Sequence, residues 1–371
     1  MTAAGKGART IAPRDIAGLL LAVLLTTGCQ RAAPNPFPPM DTHQPFKTHC
    51  IGRFLLDLPE EFDPVLDPMD GIGDTELFYG RDKNFKAIDV RVPTQRSPET
   101  EPALLREDFE REVIKRVQEL GAARNGVTHA PMLVSSVRVG GEGYLIRRYE
   151  SAQLDRYFRS ELHMLAGGVR YVVFEADIYP DSEPAEAVEA RLRNLAANTR
   201  AYTDPEKAGP GFCVKGVVLN DVHDEETAMF SFKSDLHKDL LFDVYSSALV
   251  RQDEGMLARL EKRLEGAPLA YRLAFHTLRK GRRSVAGMEA DELVETFKEA
   301  GSRRQGLKAE TRRDMPQYMQ PQMHFTLMTG GQIPGADYVD SSLADDEVLQ
   351  LWDKVVDSIR PRPHAVDGAK K

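Results

Sequence analysis

The densest set of residues able to do chemistry is Asp221-Val-His223-Asp224-Glu225-Glu226, with His237 eleven positions further on. Imidazole and carboxylate groups in one run can ligate a metal, yet spacing alone fixes no coordination geometry. The commoner reading is a solvated acidic loop between strands. Such a loop also suits a basic partner, where charge speeds encounter more than it tightens binding. His43, His49, His129 and His163 are scattered, with no nucleophile or carboxylate at an informative distance. The chain contains no Gly-x-Ser-x-Gly elbow, no His-Glu-x-x-His and no phosphate-cradling glycine loop. The sequence thus designates no catalytic, cofactor or metal residue, and the protein is expected not to be an enzyme.

Cysteine is the other reactive type, at Cys29, Cys50 and Cys213 only. Lys6, Arg9 and Arg14 lead an apolar run from Ile16 to Leu25, which is ten residues long. That is too short to span a bilayer and suits a signal-peptide core. The run ends in Leu25-Thr-Thr-Gly-Cys29, similar to a bacterial lipobox but with Thr26 where Leu is usual. Residues 1–28 are therefore expected to be a signal peptide, with Cys29 as the lipidation site. An ordinary secretory leader with a coincidental cysteine is the alternative. Gln30, in place of an aspartate, favours the outer membrane as the destination of an anchored periplasmic protein. Residues 29–45 include Arg31-Ala-Ala-Pro-Asn-Pro-Phe-Pro-Pro39, four prolines in nine residues, and read as an extended tether. In an oxidising compartment the remaining two cysteines, Cys50 and Cys213, are expected to pair. Two separate buried thiols are the other possibility.

Around these residues stand two similar sets of elements. His49-Cys50-Ile-Gly-Arg-Phe-Leu-Leu-Asp-Leu-Pro59 and Gly211-Phe-Cys213-Val-Lys-Gly-Val-Val-Leu219 each put a cysteine just ahead of a short apolar run. After the first come strand patterns at 52–58, 77–79 and 85–92. A helix is predicted over 102–120, with Leu105, Phe109, Val113, Ile114, Val117 and Leu120 on one face. Strands follow at 132–139, 143–150, 157–166 and 169–178, the last two joined at Gly167-Gly168. A helix over 184–197 turns Val188, Leu192 and Leu195 inward. After the second opening the order restarts: strands at 214–219, 227–233 and 240–246, then a helix over 254–264 carrying Met256, Leu257, Leu260 and Leu264. Strands from 284, at 293–298, 306–311 and 323–329, lead to a helix over 345–359 that buries Val348, Leu351, Trp352, Val355 and Ile359. The fold expected is α+β: two similar tandem domains, 46–205 and 206–362, each a mainly antiparallel sheet with two helices, and a disordered tail at 363–371.

Length and composition agree. A chain of 371 residues exceeds one ordinary core, and 42% hydrophobic with 29% charged residues is globular. A formal charge of −8 excludes a typical nucleic-acid binder. Arg279-Lys-Gly-Arg-Arg283 reads as a solvated strand edge guarded by charge. Met315, Met319, Met323 and Met328 with Tyr318 suit an adaptable apolar contact surface or a loop packed on its own core.

The lipobox-like start, the Cys-x-Gly-Arg-Phe-Leu-Leu-Asp-Leu-Pro opening, the Gly-Phe-Cys restart and the paired α+β halves resemble the Tle cognate immunity proteins. The resemblance spans about Phe46 to Pro361. It implies a periplasmic protein, without cofactor, that binds a phospholipase effector of a type VI secretion system and sterically inhibits it. It assigns no effector-contacting residue here. A non-catalytic envelope lipoprotein with a structural or sensory role is the rival from another class.

Overall fold

The computed structural model describes residues 36–38, 41, 44–65, 75–79, 86–93, 102–141, 143–221, 223–249, 254–312, 317–333 and 338–366. The expected leader, Cys29, most of the tether, His43, Met315 and residues 367–371 lie outside the described residues.

The first half opens with β1 (Phe46–Ile51) and β2 (Phe54–Pro59), an antiparallel hairpin, followed by short β3 (Phe62–Pro64). Then come β4 (Thr75–Tyr79), β5 (Lys86–Arg91) and α1 (Pro102–Ala122). A four-strand meander follows: β6 (Leu133–Val139), β7 (Gly143–Tyr149), β8 (Phe158–Ala166) and β9 (Arg170–Ile178). Helix α2 (Ala185–Ala197) and β10 (Thr199–Ala201) close the half. The second half repeats that order with β11 (Phe212–Val214), β12 (Val217–Leu219), β13 (Glu225–Ser234), β14 (Leu241–Ser247) and α3 (Met256–Glu265). A one-turn helix α4 (Leu269–Leu273) is additional. The meander is β15 (Phe275–Val285), β16 (Met288–Glu299), β17 (Ser302–Thr311) and β18 (Gln322–Thr329). After the small pair β19 (Gly331–Gln332) and β20 (Tyr338–Val339), α5 (Asp345–Asp357) and β21 (Arg360–Pro361) end the fold.

In space the halves read β6-β7-β8-β9-β5-β4 and β15-β16-β17-β18-β14-β13, the same order twice. The α+β class and the antiparallel pairing are as expected. One feature differs from two tandem domains with a sheet each. The equivalent edges β4 and β13 pair with each other, Glu226 opposite Leu77 and Thr227 opposite Glu76, so a single sheet runs through both halves. An antiparallel pair of equivalent strands relates the halves by an approximate two-fold axis normal to the sheet.

The outer strands of each meander are not all where the periodicity suggested. Strand β15 begins at Phe275, ahead of the strand expected from Ser284, and its Arg279-Lys280-Gly-Arg282-Arg283 run has no apolar alternation; it lies at the sheet edge, as the charged run suggested. The strand expected at 52–58 is β2, the second arm of a hairpin with β1, whereas the strand expected at 214–219 is interrupted by a turn between β11 and β12. There Lys215 and Gly216 both take positive φ (43° and 91°), as a two-residue turn requires.

Cross-strand partners share a face, and a ladder of them crosses the sheet. Leu162, Phe174, Val90, Thr75, Ala228, Ser246 and Met323 are successively opposite one another. This face is buried under α2, α5 and the two opening hairpins in one continuous core, where Val188, Leu192 and Trp352 meet Phe54, Phe230 and Phe325. The opposite ladder, Glu161, Glu175, Asp89, Glu76, Thr227, Ser247 and Gln322, lies on the other face.

The hairpins exchange their third strands. β10, from the end of the first half, pairs with β12 of the second, while β21, from the end of the second, pairs with β2 of the first. Cys50 of β1 and Cys213 of β11 are joined in a disulfide with Cα atoms 6.1 Å apart. Gly52 and Cys213 also trade two backbone hydrogen bonds of 3.0 Å. A Cβ on Gly52, whose φ is +68°, would lie 2.5 Å from Phe212 Cε2, so the crossing needs glycine. Ala365, within the tail expected from 363, is instead held against the body, its carbonyl accepting from Gly211 N at 3.1 Å and from Arg53 Nη1 at 2.6 Å.

Candidate functional site

The acidic run is not a solvated loop. Glu226 lies on the core face of β13 at 3% exposure, where the Arg53 guanidinium forms a bidentate pair with it, Nε donating at 2.8 Å. His223 Nε2 meets the same carboxylate. Burial works to raise the Glu226 pKa, but the His223 hydrogen bond and the Arg53 charge hold it below the ordinary value. Arg53 also stacks 5.1 Å from the Tyr318 ring, whose hydroxyl donates to the His223 carbonyl at 2.5 Å. Since Arg53 belongs to the first opening hairpin and Glu226 to the second half, this cluster ties the halves beside the disulfide. Asp221 instead accepts from Asn194 Nδ2 at 2.8 Å.

His237 belongs to a different place. Its Nδ1 donates to Glu61 at 2.9 Å and its Nε2 to the Pro38 carbonyl at 2.8 Å. With acceptors at both ring nitrogens the imidazolium form fits best, and the Glu61 hydrogen bond raises the His237 pKa. Pro38, read as tether, is therefore held against the body. Among the described residues the run and His237 form no shared ligand set.

The other singled-out residues are dispersed. His49 is buried edge-on to Phe232 at 4.9 Å, His163 bonds Tyr171 and Glu161, and His129 sits in a loop with positive φ. Met323 is core, while Met328 is half-buried on the opposite face, so the methionines form no single surface. Arg279 and Arg283 of the edge strand β15 bind Asp353 and Glu292.

The face opposite the core is where the molecule has surface to offer. Along β13, residues 225, 227, 229 and 231 are half-buried while 226, 228, 230 and 232 are buried, and β14 and β18 alternate likewise. Among the described residues, α1 packs on this face against β6, β7 and β8 at one end and α3 against β16 at the other. Arg116 of α1 reaches Glu161 of β8, with Nη2 at 2.6 Å from the carboxylate; Arg259 of α3 reaches Glu310 of β17 at the same 2.6 Å. The register puts Glu161 opposite Glu175 and Glu310 opposite His324, so the repeat extends to an arginine–glutamate pair in corresponding places. Sequence reading missed both pairs, because nothing local links a helix arginine to a strand carboxylate.

Between the helices the middle strands carry a polar face that is exposed at Glu76, half-buried at Asp89, Thr227 and Tyr245, and buried at Glu175, Ser247 and Gln322. On the first half Glu175 binds Arg91 Nε at 2.8 Å, and Asp177 binds Arg159 Nε at 2.6 Å. Burial pushes Asp89 up to about 6, against the opposing pull of Arg159. On the second half Tyr245 packs edge-on to His324 at 5.6 Å, and burial lowers the His324 pKa to about 4. Side chains already paired within a rigid sheet form a preorganised surface with little left to order on binding.

Residues 206–364 match the family model described as the Tle cognate immunity protein 4 C-terminal domain. The apo structure of immunity protein TplEi of the T6SS from Pseudomonas aeruginosa superposes with a TM-score of 0.63 at 22% identity, over 86% of this chain and 98% of that one. A chain in the crystal structure of the Tle4-Tli4 complex gives 0.64 at 22% identity, over 88% and 100%. The Pseudomonas aeruginosa TplEi structure complexed with an "L" peptide gives 0.59 at 21%, over 87% and 100%. No match was found among the curated proteins. Over residues 206–364 the chain is thus similar to the C-terminal domain of the Tle cognate immunity proteins, and over most of its length it shares their fold.

Proposed function

We propose that this protein is a non-catalytic immunity protein that binds a phospholipase effector of a type VI secretion system and inhibits it sterically. It acts in the periplasm, exported by residues 1–28 and anchored to the outer membrane through Cys29. The observation that carries this reading is the fold. The chain covers all of a chain in the crystal structure of the Tle4-Tli4 complex, and among the described residues no helix is packed on the middle strands of one sheet face. Two halves locked by the disulfide and by Arg53–Glu226 hold that face in one geometry, which lowers the ordering cost of binding.

The test is co-purification of the chain with a lipase encoded beside it, followed by lipid hydrolysis. The native protein is expected to bind stoichiometrically and abolish hydrolysis. Glu76→Arg combined with Tyr245→Ala, both on that face, should weaken inhibition at least ~10-fold, as loss of central contacts does, with the circular dichroism unchanged. A complex unaffected by that pair would move the contact off that face. A folded, disulfide-bonded protein that neither binds nor inhibits the lipase would sink the partner assignment and favour a structural envelope role.

A further inference from the structure

The second half presents a patch whose sign opposes that of the whole chain. From Met256 to Arg283 there are eight lysines and arginines against two glutamates, a local +6 in a protein of −8. Several of these cations are neutralised: Lys262 by Glu254, Lys280 by Glu261, Arg259 by Glu310. Arg263, Arg272 and Arg282 are exposed and have no ion-pair partner among the described residues. Arg282 shares its strand face with Lys280, which reaches α3, so this charge lies on the side of α3 and α4.

Beside it is apolar surface that the fold does not use. Leu269 and Leu273, one turn apart on α4, are 62% and 74% exposed, and Tyr271 between them is 43% exposed. Helix α3 beside it has no fully buried residue; its Leu257, Leu260 and Leu264 are half-buried, Leu260 toward the sheet. Exposed leucines close together on a soluble surface mark a contact. Two kinds of surface fit leucine with arginine: a protein or a lipid interface. Cores of protein interfaces exclude unpaired charge, whereas interfacial helices interleave Leu and aromatic residues with Arg and Lys. A local positive field on a negative molecule also orients it toward an anionic surface.

We infer that α3, α4 and the Arg282 end of β15 form a peripheral contact with an anionic lipid surface. Leu269 and Leu273 enter the headgroup region, Tyr271 sits at the boundary, and Arg263, Arg272 and Arg282 meet lipid phosphates. This contact is separate from any lipid on Cys29 and sets which way the anchored molecule faces.

The experiment is vesicle flotation of the full chain carrying Cys29→Ser, so that no acyl chain contributes. Phosphatidylethanolamine vesicles with phosphatidylglycerol are compared with phosphatidylcholine alone. Binding is expected only to the anionic vesicles and should fall with added salt. Leu269→Ser with Leu273→Ser should lower it roughly tenfold, and Arg263→Glu with Arg272→Glu by at least as much. All four positions are exposed, so folding is preserved. No anionic-vesicle binding, or binding that both pairs leave unchanged, overturns the proposal. Variants that float like the parent but lose the lipase complex would assign the patch to a protein instead. Because flotation contains no lipase, its failure leaves the inhibitor reading standing, and the converse holds too.

Discussion

Helices α1 and α3 hold corresponding places in the two halves, yet they are used differently. The 21-residue α1 seats Phe109, Val113 and Leu120 on Ile146 and Leu165 in a small core of its own. The 10-residue α3 buries none of its residues, and a cavity of about 280 Å³ separates it from the sheet, lined in part by Leu260, Leu293 and Phe325. Both keep the same arginine–glutamate tie to the sheet. A repeat can thus preserve strand order and one polar anchor while apolar seating is gained or lost, because backbone pairing specifies topology and side-chain volume specifies closure. Fully burying a large apolar side chain contributes about 1.5–3 kcal/mol, so α1 stabilises its half by an amount that α3 lacks. What α3 and α4 leave unburied is available for contact.

Cutting what joins the halves should be felt by both. Cys50→Ser with Cys213→Ser opens a loop of 163 positions, which in the chain-entropy model removes up to about 5 kcal/mol. Urea unfolding should show a lower midpoint but still one transition, since the halves share a sheet and a core. Two separated transitions would mean the halves are independent units. Glu226→Gln leaves Arg53 buried without its counter-charge and is expected to cost about 3–5 kcal/mol, read the same way.

The two helices sharpen the contrast directly. Phe109→Ala, at 4% exposure, should cost about 3–5 kcal/mol, whereas Leu260→Ala over the cavity should cost less than ~1 kcal/mol. Equal costs would mean that α3 is seated as firmly as α1.

Between these lies a pH effect in the first half. Burial, with Lys47 nearby, lowers His49 from 6.5 to about 4. The unfolded chain then takes up a proton near 6.5 that the folded one refuses until about 4. Stability is complete above 6.5 and is lost as pH falls through that window, by roughly 3 kcal/mol at 1.36 kcal/mol per unit. His49→Phe should flatten that part of the curve, and an NMR titration of His49 near its ordinary value would refute the burial.

Much of this was legible from local pattern. Alternation marked β8, β9, β13 and β18, and the 3.6-residue spacing of Val348, Leu351, Trp352 and Val355 marked α5 with its buried stripe. The same periodicity put Ile114 inside α1, where it is 52% exposed, because the apolar stripe is wider than the sheet beneath it. It likewise put Met256, Leu257, Leu260 and Leu264 on one face of α3, where none is fully buried, since spacing records a stripe but not how closely the sheet packs beneath it. The start of β15 was hidden because its charged run carries no apolar alternation, and the acidic run looked solvated because its counter-charge, Arg53, lies 173 positions away.

By itself the sequence determined the α+β class, the doubled order of elements and the two cysteines that open the halves, all properties written in neighbouring residues. The tertiary structure alone decided that β4 and β13 fuse two sheets into one and that β10 and β21 change partners. It also decided that a buried ion pair accompanies the disulfide and that α1 and α3 pack at opposite ends of one sheet face. Each of those depends on which distant edges and charges meet, and that is fixed by packing and pairing free energy across the whole chain.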